Sequence, residues 1–248
     1  MTHVQLFITC LADSFFPKTG QAVVDILQRL GISVEFAREQ TCCGQPTFNA
    51  GLRTEARAIA EHTIKVFEKT SGDIVTPSGS CAHMFRHNYP ELFADDAVWL
   101  PRAKALSART YEFTEYLVDK LGVTDLGAKW DGILTYHPSC HTLRGINVDK
   151  QPRALLANVH GATFVELPHA EECCGFGGIM SVEHPELSAE WLKRKISNLE
   201  ASYPSTSSGQ VPTLVVTDAG CLMHIAGGLN RQKKKQRVLH IAEILNHR

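Results

Sequence analysis

Eight cysteines are the residues of this sequence best suited to chemistry, and they form two matching sets of four. In each set a single cysteine precedes an adjacent pair followed by glycine, and another single cysteine comes later. The first set is Cys10, Cys42, Cys43 and Cys81, and the second set is Cys140, Cys173, Cys174 and Cys221. The intervening lengths are 31 and 37 residues in the first set and 32 and 46 in the second. The pattern repeats after about 130 residues, whereas solenoid repeats span only about 20–50 residues. It therefore indicates a duplicated domain.

Four thiolates in each half are a suitable ligand set for a soft metal ion or an iron–sulfur cluster. Thiolates favour zinc, copper(I) and iron–sulfur clusters over magnesium or calcium, and clusters are commonly held by four cysteines. Two adjacent cysteines fit one tetrahedral ion poorly, whereas they can reach different irons of a cluster. Neither half has the Cys-x2–4-Cys spacing of structural zinc sites. We therefore predict one or two clusters of the 4Fe–4S type on these cysteines, with zinc in one half as the alternative.

Three histidines lie close to the cysteines in the sequence: His137, His141 and His224. Imidazole can ligate iron, donate a hydrogen bond to sulfur or transfer a proton. We predict these histidines as secondary ligands or as residues that support the cysteines, with ordinary capping or surface roles as the alternative. No Ser-His-Asp or paired-carboxylate arrangement stands out, so the sequence predicts no catalytic residue.

The cysteines need a scaffold that brings distant parts of the chain together. Short apolar runs predict strands at Val4–Thr9, Ile32–Phe36, Asp73–Thr76, Gly132–Tyr136, Ala162–Leu167 and Thr213–Thr217. Helical patterns lie between and after them, at Pro17–Leu30, Asn49–Lys69, Thr110–Leu121, Pro152–His160, Pro185–Glu200 and Ile241–Asn246. This alternation predicts an α/β fold with parallel sheets flanked by helices. Because such strands end at one edge of the sheet, we expect the four cysteines of each set to meet in one crevice.

The duplication also predicts how the chain is divided. We place the boundary between residues 125 and 126, which gives domains of 1–125 and 126–248. The segment Tyr203–Pro212 is rich in serine, proline and glycine and predicts an exposed loop. Such a loop accounts for the longer last spacing of the second set.

The composition limits the class of protein. Hydrophobic residues make up 44% of the chain and charged residues 21%, with a formal net charge of −1. These values are ordinary for a globular protein and argue against a general nucleic-acid binder. The basic run Arg231–Arg237 predicts a solvated loop or, alternatively, a docking surface for an acidic partner. No apolar stretch approaches the roughly 20 residues of a membrane span and no signal peptide is evident, so we expect a cytoplasmic protein.

The segments TCCGQP, HPSCH, ECCGFGG and DAGC occur in this order, and the chain resembles the cysteine-rich CCG-domain family of iron–sulfur proteins along almost its whole length. The resemblance implies two tandem Rossmann-like CCG domains. It also implies an electron-transfer subunit of an oxidoreductase that converts L-lactate to pyruvate, beside a ferredoxin-like iron–sulfur subunit and a third small subunit. The family's ligands correspond in position to the two cysteine sets. More distant relatives are the B subunit of heterodisulfide reductase and the C subunit of anaerobic glycerol-3-phosphate dehydrogenase.

One feature separates the chain from the heterodisulfide-reductase relatives, whose cysteine pattern ends in Cys-x-x-Cys. The last position here is Met84 in the first half and His224 in the second. The non-cubane clusters of those relatives are therefore not carried over. Two alternatives to electron transfer stay open: a thiol–disulfide redox enzyme of that reductase type, acting through the adjacent cysteines, and a zinc-stabilised binding module.

Overall fold

The structure is a computed structural model that describes residues 2–202 and 211–248. The strands are β1 His3–Leu6, β2 Ser33–Glu35, β3 Asp73–Thr76, β4 Thr110–Glu112, β5 Lys129–His137, β6 His160–Phe164, β7 Thr213–Val216 and β8 Arg237–His240. The helices are α1 Cys10–Phe15, α2 Pro17–Arg29, α3 Gln45–Asn49, α4 Arg53–Glu68, α5 Gly79–His83, α6 Tyr89–Leu92, α7 Trp99–Ala108, α8 Phe113–Glu115, α9 Lys150–Ala157, α10 Met180–Glu183, α11 Pro185–Ala201, α12 Ala219–Arg231 and α13 Ile241–Asn246. Three π-helical turns lie at Met84–Asn88, Tyr116–Lys120 and His141–Gly145.

The strands form two four-stranded parallel sheets with the same topology. The first sheet has the order β2-β1-β3-β4 and the second has the order β6-β5-β7-β8. Every neighbouring pair is parallel, and helices connect successive strands. The predicted α/β fold class, with two parallel sheets flanked by helices, is confirmed.

Local sequence explains where the main helices start and stop. Pro17 occupies the first turn of α2, where a backbone N–H has no helical partner and proline is tolerated. Val23, Ile26 and Leu27 form the buried stripe of this helix. Gly31 follows its end with a φ of 76°, a conformation that glycine adopts without strain.

Helices α4 and α11 occupy corresponding places in the two halves, and every buried residue of α11 corresponds to a buried residue of α4. The matching pairs, each 132 residues apart, are Ala56 with Ser188, Thr63 with Lys195, Ile64 with Ile196, and Phe67 with Leu199. In three of these pairs both side chains are small or apolar. The fourth pair differs in charge, because a buried threonine in α4 corresponds to a buried lysine in α11.

One hydrophobic cluster of the described residues is shared by the two halves. Buried residues from both halves form a continuous cluster that includes Val4, Phe113, Leu134 and Tyr136. The last helix, α13, packs against α2 from the other half. Polar bonds reinforce this contact: Arg29 Nη1 donates to Asn246 Oδ1 at 3.0 Å, and Thr19 Oγ1 donates to Glu243 Oε1 at 3.1 Å.

The structure corrects several predicted elements. The predicted helix at Thr110–Leu121 begins instead with strand β4, and a further strand, β8, follows the basic run. Both strands lie at a sheet edge. Residues 231–235 of the basic run are exposed, as expected of a solvated segment. The predicted loop at 203–212 lies outside the described residues except for its last two positions, and the boundary at 125/126 stays a prediction. No helix within the described ranges has the length and apolar character needed to cross a bilayer.

Candidate metal centre

All eight cysteines line a single cavity of about 290 Å³ between the two halves. Cys10, Cys42 and Cys81 follow the carboxyl ends of β1, β2 and β3, and the second set follows β5, β6 and β7 in the same way. In a parallel sheet these ends lie at one edge, where ligands bind in open α/β folds. The structure therefore brings each set together, and it also places the two sets across one cavity from each other.

Short turns and helix starts position the first set. Cys10 and Cys81 lie in the first turns of α1 and α5, and Cys10 Sγ is 3.7 Å from Cys42 Sγ. Gly44 follows the adjacent pair with a φ of 84°, which lets its N–H point at Cys42 Sγ, 3.5 Å away. Cys10 is exposed and Cys42 half-buried, whereas Cys43 and Cys81 are buried.

The second set repeats this arrangement with more contacts to sulfur. Cys174 Sγ lies 3.3 Å from Cys221 Sγ. The N–H groups of Gly175 and Phe176 donate to Cys173 Sγ at 3.4 Å and to Cys174 Sγ at 3.5 Å. Gly175 has a φ of 92°, and a Cβ at this position would lie 2.5 Å from the Ser188 carbonyl oxygen. Only glycine fits between the adjacent pair and α11.

The first cysteine of each adjacent pair is the preferred thiolate. Hydrogen bonds from the thiols of Cys10 and Cys43 hold the pKa of Cys42 well below its usual range. Hydrogen bonds from Cys140 and Cys174 do the same for the pKa of Cys173. Thiolate is the form that binds metal, so the lowered pKa of the first cysteine at each turn between sheet and helix favours metal binding.

The three predicted histidines have different surroundings. His137 is fully buried and neither ring nitrogen has a hydrogen-bond partner among the described residues. Its nearest ligand atom and the sulfurs of Cys174 and Cys221 all lie within 4.8 Å of one another. His141 contacts Cys140 Sγ at 3.7 Å through Nδ1 and Gln45 of the other half at 3.2 Å through Nε2.

His224 is not among the residues that line the cavity. Its Nε2 lies 3.3 Å from the Ser188 hydroxyl, and its ring lies 6.0 Å from the ring of Phe176. The structure therefore brings His137 and His141 to the cysteines, whereas His224 pairs with a serine of α11.

Sequence reasoning missed Asp218, which joins the two halves beside the cavity. Its Oδ2 accepts hydrogen bonds from the Ser78 hydroxyl at 2.9 Å and from the Ser80 N–H at 3.1 Å, both in the first half. Its Oδ1 caps α12 by accepting from Gly220 N–H at 3.1 Å. The signal was present, because Asp218 and Ser78 each lie three residues before a cysteine at a helix start, which is typical of an N-cap. Among the described residues that line the cavity, none is lysine or arginine, and Asp218 supplies the one carboxylate.

His240 makes a second bond between the halves. Its Nδ1 accepts from the Ala242 N–H at 3.2 Å, so its Nε2 carries the proton and donates to the Pro77 carbonyl oxygen at 3.2 Å. Burial lowers the pKa of His240 to about 4. Protonation would place a second N–H opposite the Ala242 donor and break that bond.

This arrangement predicts a loss of stability in mild acid. His240 binds a proton near pH 6.5 in the unfolded chain but only near pH 4 in the folded chain. The free energy of unfolding is therefore retained above pH 6.5 and falls by about 3 kcal/mol as the pH drops from 6.5 to 4. His240→Gln keeps an acceptor and a donor but does not titrate. Its free energy of unfolding, measured in denaturant from pH 4 to 7, should depend less on pH than that of the wild type. The exposed control His62→Gln should keep the wild-type dependence, and an equally steep His240→Gln profile would refute the assignment.

The chemistry of the donors fits a metal group in each half. All eight cysteines are free thiols, the sulfur–sulfur distances of 3.7 and 3.3 Å are far from the roughly 2.05 Å of a disulfide, and backbone N–H groups point at the sulfurs. His137 adds a buried nitrogen donor to the second set. Either four-thiol set could therefore hold a thiolate-bound metal or cluster.

Comparison with known proteins agrees with the duplication. The family model described as a cysteine-rich domain, CCG, matches residues 4–86 and again residues 134–226. The chain is 47% identical over 247 residues to lactate utilization protein A of an Exiguobacterium species, covering 99% of this chain and 98% of that protein. It is 45% identical over 245 residues to lactate utilization protein A of Bacillus pumilus and 46% identical over 248 residues to that of a Geobacillus species, with 99% of each chain covered.

Proposed function

Because this chain belongs to the cysteine-rich CCG domain family, we propose that it is an iron–sulfur electron-transfer subunit of an oxidoreductase that converts L-lactate to pyruvate. The observation that carries the proposal is the single cavity lined by two complete sets of four cysteines. Cys10, Cys42, Cys43 and Cys81 would hold one cluster, and Cys140, Cys173, Cys174 and Cys221 another, each of the 4Fe–4S type. A bound cluster would supply one-electron oxidation and reduction.

The protein's own residues bind the clusters and limit the access of water to them. The buried cysteines Cys43, Cys81, Cys174 and Cys221 form the inner side of each set, and Cys10, Cys42, Cys140 and Cys173 lie nearer solvent. Backbone N–H groups at both Cys-Cys-Gly turns offset the negative charge of the thiolates. Electrons would enter and leave through the more exposed cysteines.

The cavity does not suit lactate itself. A carboxylate needs a cationic or N–H-rich partner, whereas the described lining lacks lysine and arginine and includes the Asp218 carboxylate. We therefore assign the chemistry on lactate to partner chains, a ferredoxin-like iron–sulfur subunit and a third small subunit. The relatives named lactate utilization protein A support a role in lactate use, and we place the complex in the cytoplasm.

Two other functions each rest on one observation. The contact of 3.3 Å between Cys174 Sγ and Cys221 Sγ favours a thiol–disulfide enzyme, which would be active without metal and sensitive to alkylation. The grouping of His137 with the same two cysteines favours zinc in the second half and a binding role, which would give a colourless protein with stoichiometric zinc.

The decisive experiment is to measure iron, acid-labile sulfide and zinc in protein purified without oxygen, with electron paramagnetic resonance (EPR) spectra before and after dithionite. We expect near-equal iron and sulfide and a signal that appears on reduction. The isolated chain should not oxidise L-lactate with an artificial acceptor, and should do so only with its partner subunits. Zinc alone, or no metal after anaerobic reconstitution, would contradict electron transfer. Lactate turnover by the isolated chain would contradict the assignment of lactate chemistry to partner chains.

A further inference from the structure

The two cysteine sets differ in the side chains behind them. Phe7 and His137 each lie three residues before the first cysteine of their set, and Thr63 and Lys195 occupy the same buried position of α4 and α11. The first set is therefore backed by an aromatic ring and a hydroxyl. The second set is backed by an imidazole and an ammonium group.

Lys195 is a buried cation beside the second set. It has no solvent exposure, and its Nζ donates to the carbonyl oxygens of His169 and Ala170 at 3.0 and 3.1 Å. Burial lowers the pKa of Lys195, whereas nearby Glu172 and Cys174 oppose that change. The charge of Glu172 is shared with the Arg194 guanidinium, with which it forms an ion pair. The positive charge of Lys195 is thus held in place by neutral carbonyl groups.

No residue within the described ranges places such a charge behind the first set. Phe7 packs in an aromatic cluster, with ring centres 4.7 Å from Phe85 and 6.0 Å from Phe67. Tyr89 donates its hydroxyl proton to the Cys43 carbonyl oxygen at 2.9 Å rather than to sulfur. The pKa of Cys10 is raised by its hydrogen bond with Cys42, by burial and by the charges of Cys42 and Cys81.

Three further features affect how well each cysteine set stabilises negative charge. The second set receives an additional hydrogen bond, from the Phe176 N–H to Cys174 Sγ. Two features act the other way: Asp218 lies near Cys140, and Cys10 is more exposed than its counterpart. Asp218 also bonds to Ser78 and Ser80 of the first half, so its charge lies between the sets. The largest difference between the surroundings of the two sets is the unit charge of Lys195, which is fully shielded from solvent.

We infer that Lys195, together with His137, gives the second set the higher reduction potential, so that a cluster there is reduced before a cluster on the first set. Adding an electron increases the negative charge of a cluster and its thiolates, and a buried cation and N–H donors stabilise that state. The inference rests on the proposed function. The two halves of the duplicated chain would then differ in function, because an added electron would reside mainly on the cluster of the second set.

The inference is tested by potentiometric titration of the whole chain, followed by EPR, with Cys81→Ser and Cys221→Ser used to assign each signal to its set. The signal of the second set should appear at the higher potential in the wild type. In Lys195→Met, at the wild-type midpoint of the second set, the ratio of reduced to oxidised cluster should fall at least tenfold, which corresponds to 59 mV for one electron. The midpoint of the first set should not change.

Two variants serve as controls. Lys193→Met removes a cation from the same helix at a side chain that is 74% exposed, where solvent screens its charge, and it should move neither midpoint. Lys195→Arg keeps the charge and should keep the order of the two signals. If the second set is reduced last in the wild type, or if Lys195→Met leaves its midpoint unchanged, the inference is wrong although the protein binds clusters. A chain that takes up no iron would instead overturn the proposed function and the inference with it.

Discussion

Replacing Cys221 by serine should remove about half of the bound iron and eliminate one of two reducible signals. Cys221 lies in the first turn of α12 with its Sγ 3.3 Å from Cys174 Sγ, and a serine hydroxyl is a much poorer soft-metal ligand than a thiolate. Cys81→Ser, at the corresponding position of α5, should remove the other half. Iron and sulfide analysis after anaerobic reconstitution, with EPR on the reduced protein, measures both effects.

The control for this experiment is Met223→Leu in the same helix, which keeps volume and apolar character and should retain all iron. The single cavity makes the result informative in a second way. Complete loss of iron from either single variant would contradict two separate centres, and would indicate that one metal group is shared by both sets. Full retention in both variants would exclude Cys81 and Cys221 as ligands.

Gly79→Ala should be the most damaging small substitution outside the cysteines. A Cβ at Gly79 would lie 1.9 Å from Thr142 Oγ1 and 2.7 Å from Thr142 Cα, across the contact between the halves. A rotamer change could move the hydroxyl but not the backbone carbon, so the halves would have to separate. We expect a loss of roughly 1–3 kcal/mol in the free energy of unfolding, measured in denaturant, together with slower metal uptake because the cysteine cavity would open.

The matched control is Gly227→Ala in α12. Gly227 is exposed and a Cβ there meets no atom within 4 Å, so alanine should stabilise the protein by roughly 0.4–1 kcal/mol. Equal stability of Gly79→Ala and the wild type would show that the two halves do not pack as closely in solution.

Strong local patterns made most of the fold predictable, and weak ones account for the errors. Strand β3 and helix α13 have the predicted bounds because each is a short apolar run with clear end signals. Strand β4 is the three-residue sequence TYE, which the sequence pattern assigns to a helix, and β8 begins with the last arginine of a basic run. Edge strands of this length leave little hydrophobic periodicity in a sequence.

The site could be predicted within each half but not between the halves. Parallel strands explain why Cys10, Cys42 and Cys81 meet, since their sheet edge follows from local sequence. The facing of the two sets depends on tertiary contacts such as α2 with α13, which no local pattern encodes. Lys195 was missed for a related reason: in the sequence it is one of several lysines on a helix, and only the packed structure shows that it is buried.

The contact between α2 and α13 also determines when, during synthesis, the first half can complete its fold and take up metal. Helix α2 emerges early from the ribosome, but Val23, Ile26 and Leu27 reach their full burial only after residues 241–246 have been synthesised. Domains that are self-contained can fold one after the other during translation, whereas here the half that carries the first cysteine set needs α13 of the other half to complete its core. Metal insertion into that set is therefore expected to follow the synthesis of residues 241–246, when both sets become available together.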